Sequence, residues 1–135
     1  METLEGIAEA DAYLGRPVPL PSAALPLMRW VDVVAVGPHA VEVSWNLDDT
    51  RPDQPGRIAL YAGADAPPER DLPGATAPEE VDDGFVHREA PLGEAQPSLR
   101  PVHELRWQRN GLHLRLTAQG PWAIHALVAI AQSVG

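Results

Sequence analysis

The sequence predicts an α+β fold: an antiparallel sheet of five or six strands with an N-terminal helix and an apolar C-terminal helix packed on it. Three observations lead to this prediction. Apolar residues at helical spacing come first, short runs of alternating apolar and polar residues follow, and a strongly apolar segment of helical length comes last. With 135 residues the chain has the size of one domain with its own core, so we expect a single domain over residues 1–135.

The first element is a short helix from Leu4 to Leu14. Thr3 suits its N-cap, and Gly15 suits the left-handed position at which many helices end. Residues 16–26 contain prolines at positions 17, 19, 21 and 26. We therefore expect this segment to be extended and to lie outside any central strand.

The next two runs, Trp30–Val36 and Val41–Leu47, predict a hairpin. A four-residue loop would place Asp32 opposite Trp45 on the core face, where burial of a carboxylate is costly. A loop of three or five residues around Gly37-Pro38-His39 instead aligns Val31, Val33 and Ala35 with the core set. That register turns Trp30, Val34 and Val36 to the other face, where they either form an apolar contact strip or lie under the proline-rich segments.

The middle of the chain predicts two further strands separated by long links. Arg57–Ala62 is the first, with Ile58 and Leu60 inward and Tyr61 outward. Residues 63–83 are rich in proline, alanine and acidic residues, which predicts a surface loop, and Phe85–Glu89 is a weaker strand. Residues 48–56 and 91–101 are predicted to be irregular links.

The last hairpin is the most closely specified element. Asn110-Gly111 predicts a two-residue type I′ turn, because both positions require positive φ. The turn sets Arg109 opposite Leu112 and Arg106 opposite Arg115, which places one apolar set on a single face. That set is Leu105, Trp107, Leu112, Leu114 and Leu116, and the opposite face carries Glu104, Arg106, Gln108, His113 and Arg115.

An apolar helix is predicted over Trp122–Val134, with Gly120 as N-cap and Pro121 in the first turn. A helix this apolar is buried on most of its circumference and should pack on the sheet face of Trp107 and Leu114. It is too short to cross a membrane, which takes about 20 apolar residues.

Three segments together resemble a known domain. They are the first helix with residues 12–21 (AYLGRPVPLP), the strands Val41–Trp45 and Arg57–Tyr61, and LRWQRNG at 105–111 with the AIAQS helix at 129–133. The chain resembles an uncharacterised C-terminal domain of bacterial membrane-tethered, anti-sigma-factor-like proteins, which is similar in turn to the LolA and RseB type of antiparallel fold. The resemblance implies a sheet covered by helices and a sensing or regulatory binding role outside the cell, and it implies no catalytic residues.

Composition limits the classes of function. The net charge of −9 argues against nucleic acid as a partner, and the absence of cysteine excludes disulfides and thiolate metal sites. No signal peptide pattern follows Met1, so we expect a cytoplasmic protein, or an extracytoplasmic one if the chain is part of a longer membrane-tethered parent.

Two groups of residues are candidates for ligand binding. Four side chains of the last hairpin could hold a carboxylate or phosphate, unless Glu104 and the acidic segment 65–94 neutralise them: Arg106, Arg109, His113 and Arg115. Three tryptophans could line a cavity between the sheet and the last helix: Trp45, Trp107 and Trp122. We expect no cofactor and no metal, because His87 and Glu89, which could project onto one face, are too small a set for zinc.

These observations support three hypotheses about function. The first is a non-enzymatic binding or interaction module, with a protein partner or a second copy of the chain. The second is a carrier of an apolar small ligand held between sheet and last helix. The third is a small enzyme whose site the sequence does not reveal, since no catalytic motif is present.

Overall fold

The computed structural model describes residues 2–4, 6–22, 28–47, 57–67, 76–81, 84–90, 102–119 and 122–134. Within them lie two helices, α1 (Ile7–Leu14) and α2 (Ile124–Gln132). The strands are β1 (Glu2–Thr3), β2 (Met28–Gly37), β3 (Ala40–Leu47), β4 (Arg57–Gly63), β5 (Glu79–Val81), β6 (Phe85–Ala90), β7 (Val102–Arg109) and β8 (Leu112–Gln119). The predicted α+β class is confirmed. The sheet has more strands than predicted, with seven of at least three residues and the two-residue β1 at its edge.

All strands pair antiparallel in one sheet, in the order β1-β2-β3-β4-β8-β7-β6-β5. The last strand, β8, therefore lies in the middle, between β4 and β7. One face of this sheet, here called the core face, packs against the helices, and one cluster of buried residues joins both helices to the sheet. The other is called the polar face.

The predicted register of the β7–β8 hairpin is confirmed, from Arg109 opposite Leu112 to Leu105 opposite Leu116. Asn110 and Gly111 have φ angles of 52° and 79°, as a type I′ turn requires. The apolar set predicted for one face is buried, with Trp107 the most accessible of its five members at 8%. A two-residue turn fixes the offset between its strands, so this part of the sheet follows directly from local sequence.

The β2–β3 register is confirmed as well. Val33 lies opposite Val43 and Ala35 lies opposite Val41, which leaves five residues between Ala35 and Val41. A register shift after Ala35 lets Gly37 pair with Ala40, so that the turn itself contains only Pro38 and His39. His39 takes a φ of 51° to close it. The side chain of Trp30 lies outside the described residues.

The prediction for the start of α1 was wrong. Thr3 lies in β1 opposite Val34 and does not cap the helix, whose N-cap position is Gly6 with no side-chain hydrogen bond. Extended pairing of the chain at residues 2–4 with β2 outcompetes a longer helix, because Leu4 N–H also donates to the Val33 carbonyl at 2.8 Å. The predicted end is confirmed: Gly15 is left-handed and donates to the Asp11 carbonyl.

The helix α2 is shorter than predicted, since its first helical residue is Ile124. The predicted N-cap Gly120 and Pro121 lie outside the described residues, as do the links 48–56 and 91–101. Leu127, Val128, Ile130 and Ala131 of α2 are buried in the core cluster with Leu105 and Leu114, as predicted for an apolar helix on this sheet face. Neither α1 nor α2 approaches the length of a helix that spans a bilayer, and no other helix is present in the described part of the chain.

The expectation of a single surface loop over 63–83 was wrong in part. Residues Glu79–Val81 form β5, which pairs with β6 at the sheet edge. Two of its three residues are glutamates with exposed side chains, a composition that is common at sheet edges and poor in the apolar alternation from which strands are predicted.

Candidate functional site

Of the four predicted anion-binding side chains of the last hairpin, only that of Arg115 is buried. Arg106 and Arg115 lie directly opposite each other on the polar face, as predicted, but Arg115 is only 6% exposed. Two facing guanidinium groups repel each other, so the structure has to compensate for them. Glu42 Oε2 lies 3.6 Å from Arg115 Nη2, and the Arg115 guanidinium lies over the Tyr61 ring, 5.5 Å from its centroid.

On β7, the carboxylate of Glu104 offsets the repulsion between the guanidinium groups of Arg106 and Arg115. Its side chain is 1% exposed, and its Oε1 accepts hydrogen bonds from Arg88 Nη2 at 2.9 Å and Arg88 Nε at 3.2 Å. Arg106 Nε lies 3.9 Å from the same oxygen, and Arg106 Nη2 donates to the Pro67 carbonyl at 3.1 Å. Arg106 is thus held by its neighbours, which supports the structural alternative in which acidic residues neutralise these arginines.

Arg109 lies on the other face of β7 from Arg106, as its predicted pairing with Leu112 implies. Its parity along β7 points it to the core face, where Arg109 Nη1 donates to the Val134 carbonyl at 2.7 Å. A cation near the C-terminal end of α2 is also favoured by the helix dipole. This hydrogen bond therefore holds the residue that follows α2 next to the β7–β8 turn.

A cleft of about 570 Å³ lies beside Arg106, and it is called the polar cleft. Three of the predicted ligand-binding residues line it: Arg106, His113 and Trp107. The remaining lining comes from Gln108 and from short or apolar residues: Ala66, Pro67, Gly84, Val86 and Leu114.

A second cavity, of about 350 Å³, lies between α1 and strands β2 and β3, and it is called the α1 pocket. Its walls are mainly apolar: Leu4, Ile7, Leu20, Val31, Val33, Val43 and Trp45, with Gly6 and Asp32. Val31 lies opposite Trp45 on the core side of β2 and is nevertheless 41% exposed, because the pocket opens there.

The three tryptophans predicted to line one cavity are dispersed. Trp45 lines the α1 pocket, Trp107 lines the polar cleft, and Trp122 is partly buried against the core. Trp45 and Trp107 stand on β3 and β7, three strand spacings apart in the sheet, which amounts to about 14 Å. The α1 pocket and the polar cleft therefore each contain one of the three tryptophans.

The structure also brings together three residues that the sequence left apart. His87 and Glu89 are two positions apart on β6, and His103 lies directly opposite Glu89 on β7. All three point to the core face, and their potential ligand atoms lie within 4.8 Å of one another. His87 Nε2 and His103 Nδ1 are 3.1 Å apart and share a hydrogen bond. Burial lowers the pKa of His103, an effect that the Glu89 carboxylate opposes and that His87 reinforces.

Sequence reasoning recognised His87 and Glu89 as neighbours on one face but missed His103. The signal that was lacking is the β6–β7 register, because these strands are joined by the long link 91–101 rather than by a tight turn. Had that offset been known, alternation alone would have placed His103 beside the pair.

Comparison of the chain with protein-family models, with curated proteins and with solved structures finds no match. The resemblance to the C-terminal domain of anti-sigma-factor-like proteins therefore stays a prediction. Three features of the structure could bind a ligand: the α1 pocket, the polar cleft and the cluster of His87, Glu89 and His103.

Proposed function

We propose that this protein is a non-enzymatic binding module that holds a small apolar ligand in the α1 pocket. The observation that carries this proposal is the cavity of about 350 Å³ whose walls are mainly aliphatic and aromatic. Pockets for small molecules typically have volumes of about 300–1,000 Å³ and apolar walls with few polar groups. An apolar cavity of about 150 Å³ already holds benzene, so the α1 pocket has room for a molecule of about two rings.

The environment of Val31 supports the choice of an apolar ligand. Its partner across the hairpin, Trp45, is 8% exposed, whereas Val31 is 41% exposed although both lie on the core side. A ligand in the pocket would remove the apolar surface of Val31 and of half-buried Ile7 and Leu20 from water. Each 100 Å² of such surface contributes about 2.5 kcal/mol to transfer of the surface out of water.

The test is a titration with N-phenyl-1-naphthylamine, an apolar probe whose emission rises when it leaves water. We expect saturable binding at one site. Val31→Phe should weaken it by about tenfold or more, which corresponds to about 1.4 kcal/mol, because the larger ring fills the mouth of the pocket. Since Val31 is substantially exposed, this substitution leaves the core packing intact.

Val86→Phe is the matched comparison. Val86 is 36% exposed and lies on the polar face beside the polar cleft. If Val31→Phe leaves the affinity unchanged and Val86→Phe lowers it, the probe occupies the polar cleft and the proposal is wrong. Absence of saturable binding to the unmodified protein would also contradict it.

A second candidate function is binding of a small anion in the polar cleft, since Arg106 and His113 both line it. The ligand would add to the contacts that Arg106 already makes with Glu104 and with the Pro67 carbonyl. Titration with inorganic phosphate, followed by amide chemical shifts, tests this function. Shifts centred on His113 and Gln108 that vanish in Arg106→Gln would support it, and shifts scattered over the surface would contradict it.

A further inference from the structure

The cluster of His87, Glu89 and His103 has the composition of a metal site. Two imidazole nitrogens and a carboxylate oxygen, all within 4.8 Å of one another, are also the ligands of the two-histidine, one-glutamate zinc sites in enzymes. Antiparallel pairing places the Glu89 and His103 side chains directly opposite each other. The His87 side chain projects from the same face two residues earlier, so the convergence is fixed by the β6–β7 ladder.

The spacing of the two imidazoles suits one ion between them. Two nitrogens that bind one tetrahedral Zn²⁺ at about 2.0–2.1 Å are separated by about 3.3 Å. His87 Nε2 and His103 Nδ1 are 3.1 Å apart, and their rings are inclined by only 19°. If the two ring nitrogens moved apart by a few tenths of an ångström, an ion could replace the proton between them. The hydrogen bond would then be replaced by two metal–nitrogen bonds.

The protonation state is also suitable. The hydrogen bond between the two rings requires that one nitrogen accept, so at least one imidazole is neutral. The neutral imidazole is the form that binds metals. Glu89 is half-buried and offers a carboxylate oxygen as the third ligand.

We propose that His87, Glu89 and His103 bind one divalent transition-metal ion, with Zn²⁺ as the best match among common ions. Mixed nitrogen and oxygen ligands favour ions such as Zn²⁺, Ni²⁺ and Co²⁺, whereas Mg²⁺ and Ca²⁺ prefer oxygen alone. The described residues supply three ligands to this site. That number leaves a position for water or another ligand on the ion.

The test is calorimetric titration of chelator-treated protein with ZnCl₂, with MgCl₂ as the comparison salt. We expect one Zn²⁺ per chain, a rise in Tm with Zn²⁺, and neither effect with Mg²⁺. Glu89→Gln changes one atom of a half-buried side chain and is expected to fold. It should weaken Zn²⁺ binding by more than about 10- to 100-fold, the loss caused by removing an outer-shell partner of a metal ligand. His87→Ala should weaken it at least as much.

His125→Ala is the matched control, because His125 is an exposed histidine on α2. It should bind Zn²⁺ as the unmodified protein does. Replacement of Zn²⁺ by Co²⁺ adds a reading that does not depend on stability, since the visible spectrum of Co²⁺ reports nitrogen and oxygen ligands directly. Failure of the protein to bind Zn²⁺ would overturn the proposal and leave a hydrogen-bonded pair of histidines. So would a Zn²⁺ affinity of Glu89→Gln and His87→Ala that equals that of the unmodified protein.

Discussion

Glu104 and Arg88 form a buried ion pair across β6 and β7, in which one carboxylate oxygen accepts two hydrogen bonds from the guanidinium group at 2.9 and 3.2 Å. The Glu104 side chain is 1% exposed and that of Arg88 is 13% exposed. Such pairs contribute little compared with apolar residues of the same volume, yet losing one partner leaves a charge in a medium that solvates it poorly.

We therefore expect Glu104→Gln to lower the free energy of unfolding by about 3 kcal/mol, near the lower end for a broken buried pair, because glutamine keeps an acceptor oxygen. Urea unfolding measures this loss. The double substitution Arg88→Leu and Glu104→Leu removes both charges and should cost much less. If the double variant were less stable than Glu104→Gln, the charge of Arg88 would not be the cause.

The environment of Tyr61 leads us to expect that the stability of the fold decreases at alkaline pH. Burial raises the pKa of Tyr61 above 10.0; the nearby Arg115 cation partly opposes this, and the Asp65 carboxylate adds to it. The unfolded chain therefore loses its tyrosine proton first as pH rises, and the folded state loses stability above pH 10.0 relative to the unfolded state. The hydrogen bond from Tyr61 Oη to the Asp65 carbonyl, 2.8 Å long, is lost on ionisation as well.

Tyr61→Phe cannot ionise, so the stability gap between it and the unmodified protein should narrow as pH rises from about 8 to about 11. Urea unfolding at each pH provides the comparison. A gap that stays constant over this range would show that Tyr61 ionises alike in both states.

The space around Gly63, at the end of β4, is too small for a side chain. A Cβ at this position would lie 2.8 Å from Tyr61 Cζ and 2.9 Å from Ala40 Cβ, closer than real Cβ contacts come. Because Tyr61 and Ala40 are both buried, we expect Gly63→Ala to destabilise the fold by about 1–3 kcal/mol, as overpacking of a core does. Gly37→Ala is the matched control, since its Cβ would meet Ala40 at an ordinary 3.8 Å. Equal Tm values for the two variants would contradict this prediction.

We expect substitution of Arg109 to destabilise the chain locally at the end of α2. Arg109→Ala removes the hydrogen bond to the Val134 carbonyl and should cost about 1 kcal/mol. Amide hydrogen exchange should quicken at Ser133 and Val134. Arg16→Ala is the comparison, because Arg16 donates to the Asn110 carbonyl at 2.8 Å and does not hold the α2 end. If amide hydrogen exchange at Val134 is unchanged in Arg109→Ala, the hydrogen bond from Arg109 does not stabilise the end of α2.

The parts of the fold that sequence predicts are those in which a short turn sets the strand offset. Asn110-Gly111 fixes Trp107 opposite Leu114, and the cost of burying Asp32 selects the pairing of Val33 with Val43. Alternation then states which face a side chain points to. It does not state how deeply the side chain is buried, and this is why Arg115 and Glu104 were expected at the surface.

The candidate sites were harder to predict, because they depend on contacts between distant segments. The α1 pocket needs β1 to pair with β2, and two residues of strand carry too little pattern to be recognised. The meeting of Glu89 with His103 depends on an offset across a long link that no local interaction determines.

The central position of β8 has a consequence for how the chain folds. β4 ends at Gly63, and its partner β8 begins at Leu112, so this pairing closes a long loop, and contacts of such high sequence separation slow folding. During synthesis the segments of β2–β4 and β5–β7 leave the ribosome before β8, so until residues 112–119 appear β4 and β7 each lack the partner that joins them in the sheet. In that interval the apolar inner edges of the nascent chain are exposed to other chains, so chaperones should bind it most strongly just before residues 112–119 appear.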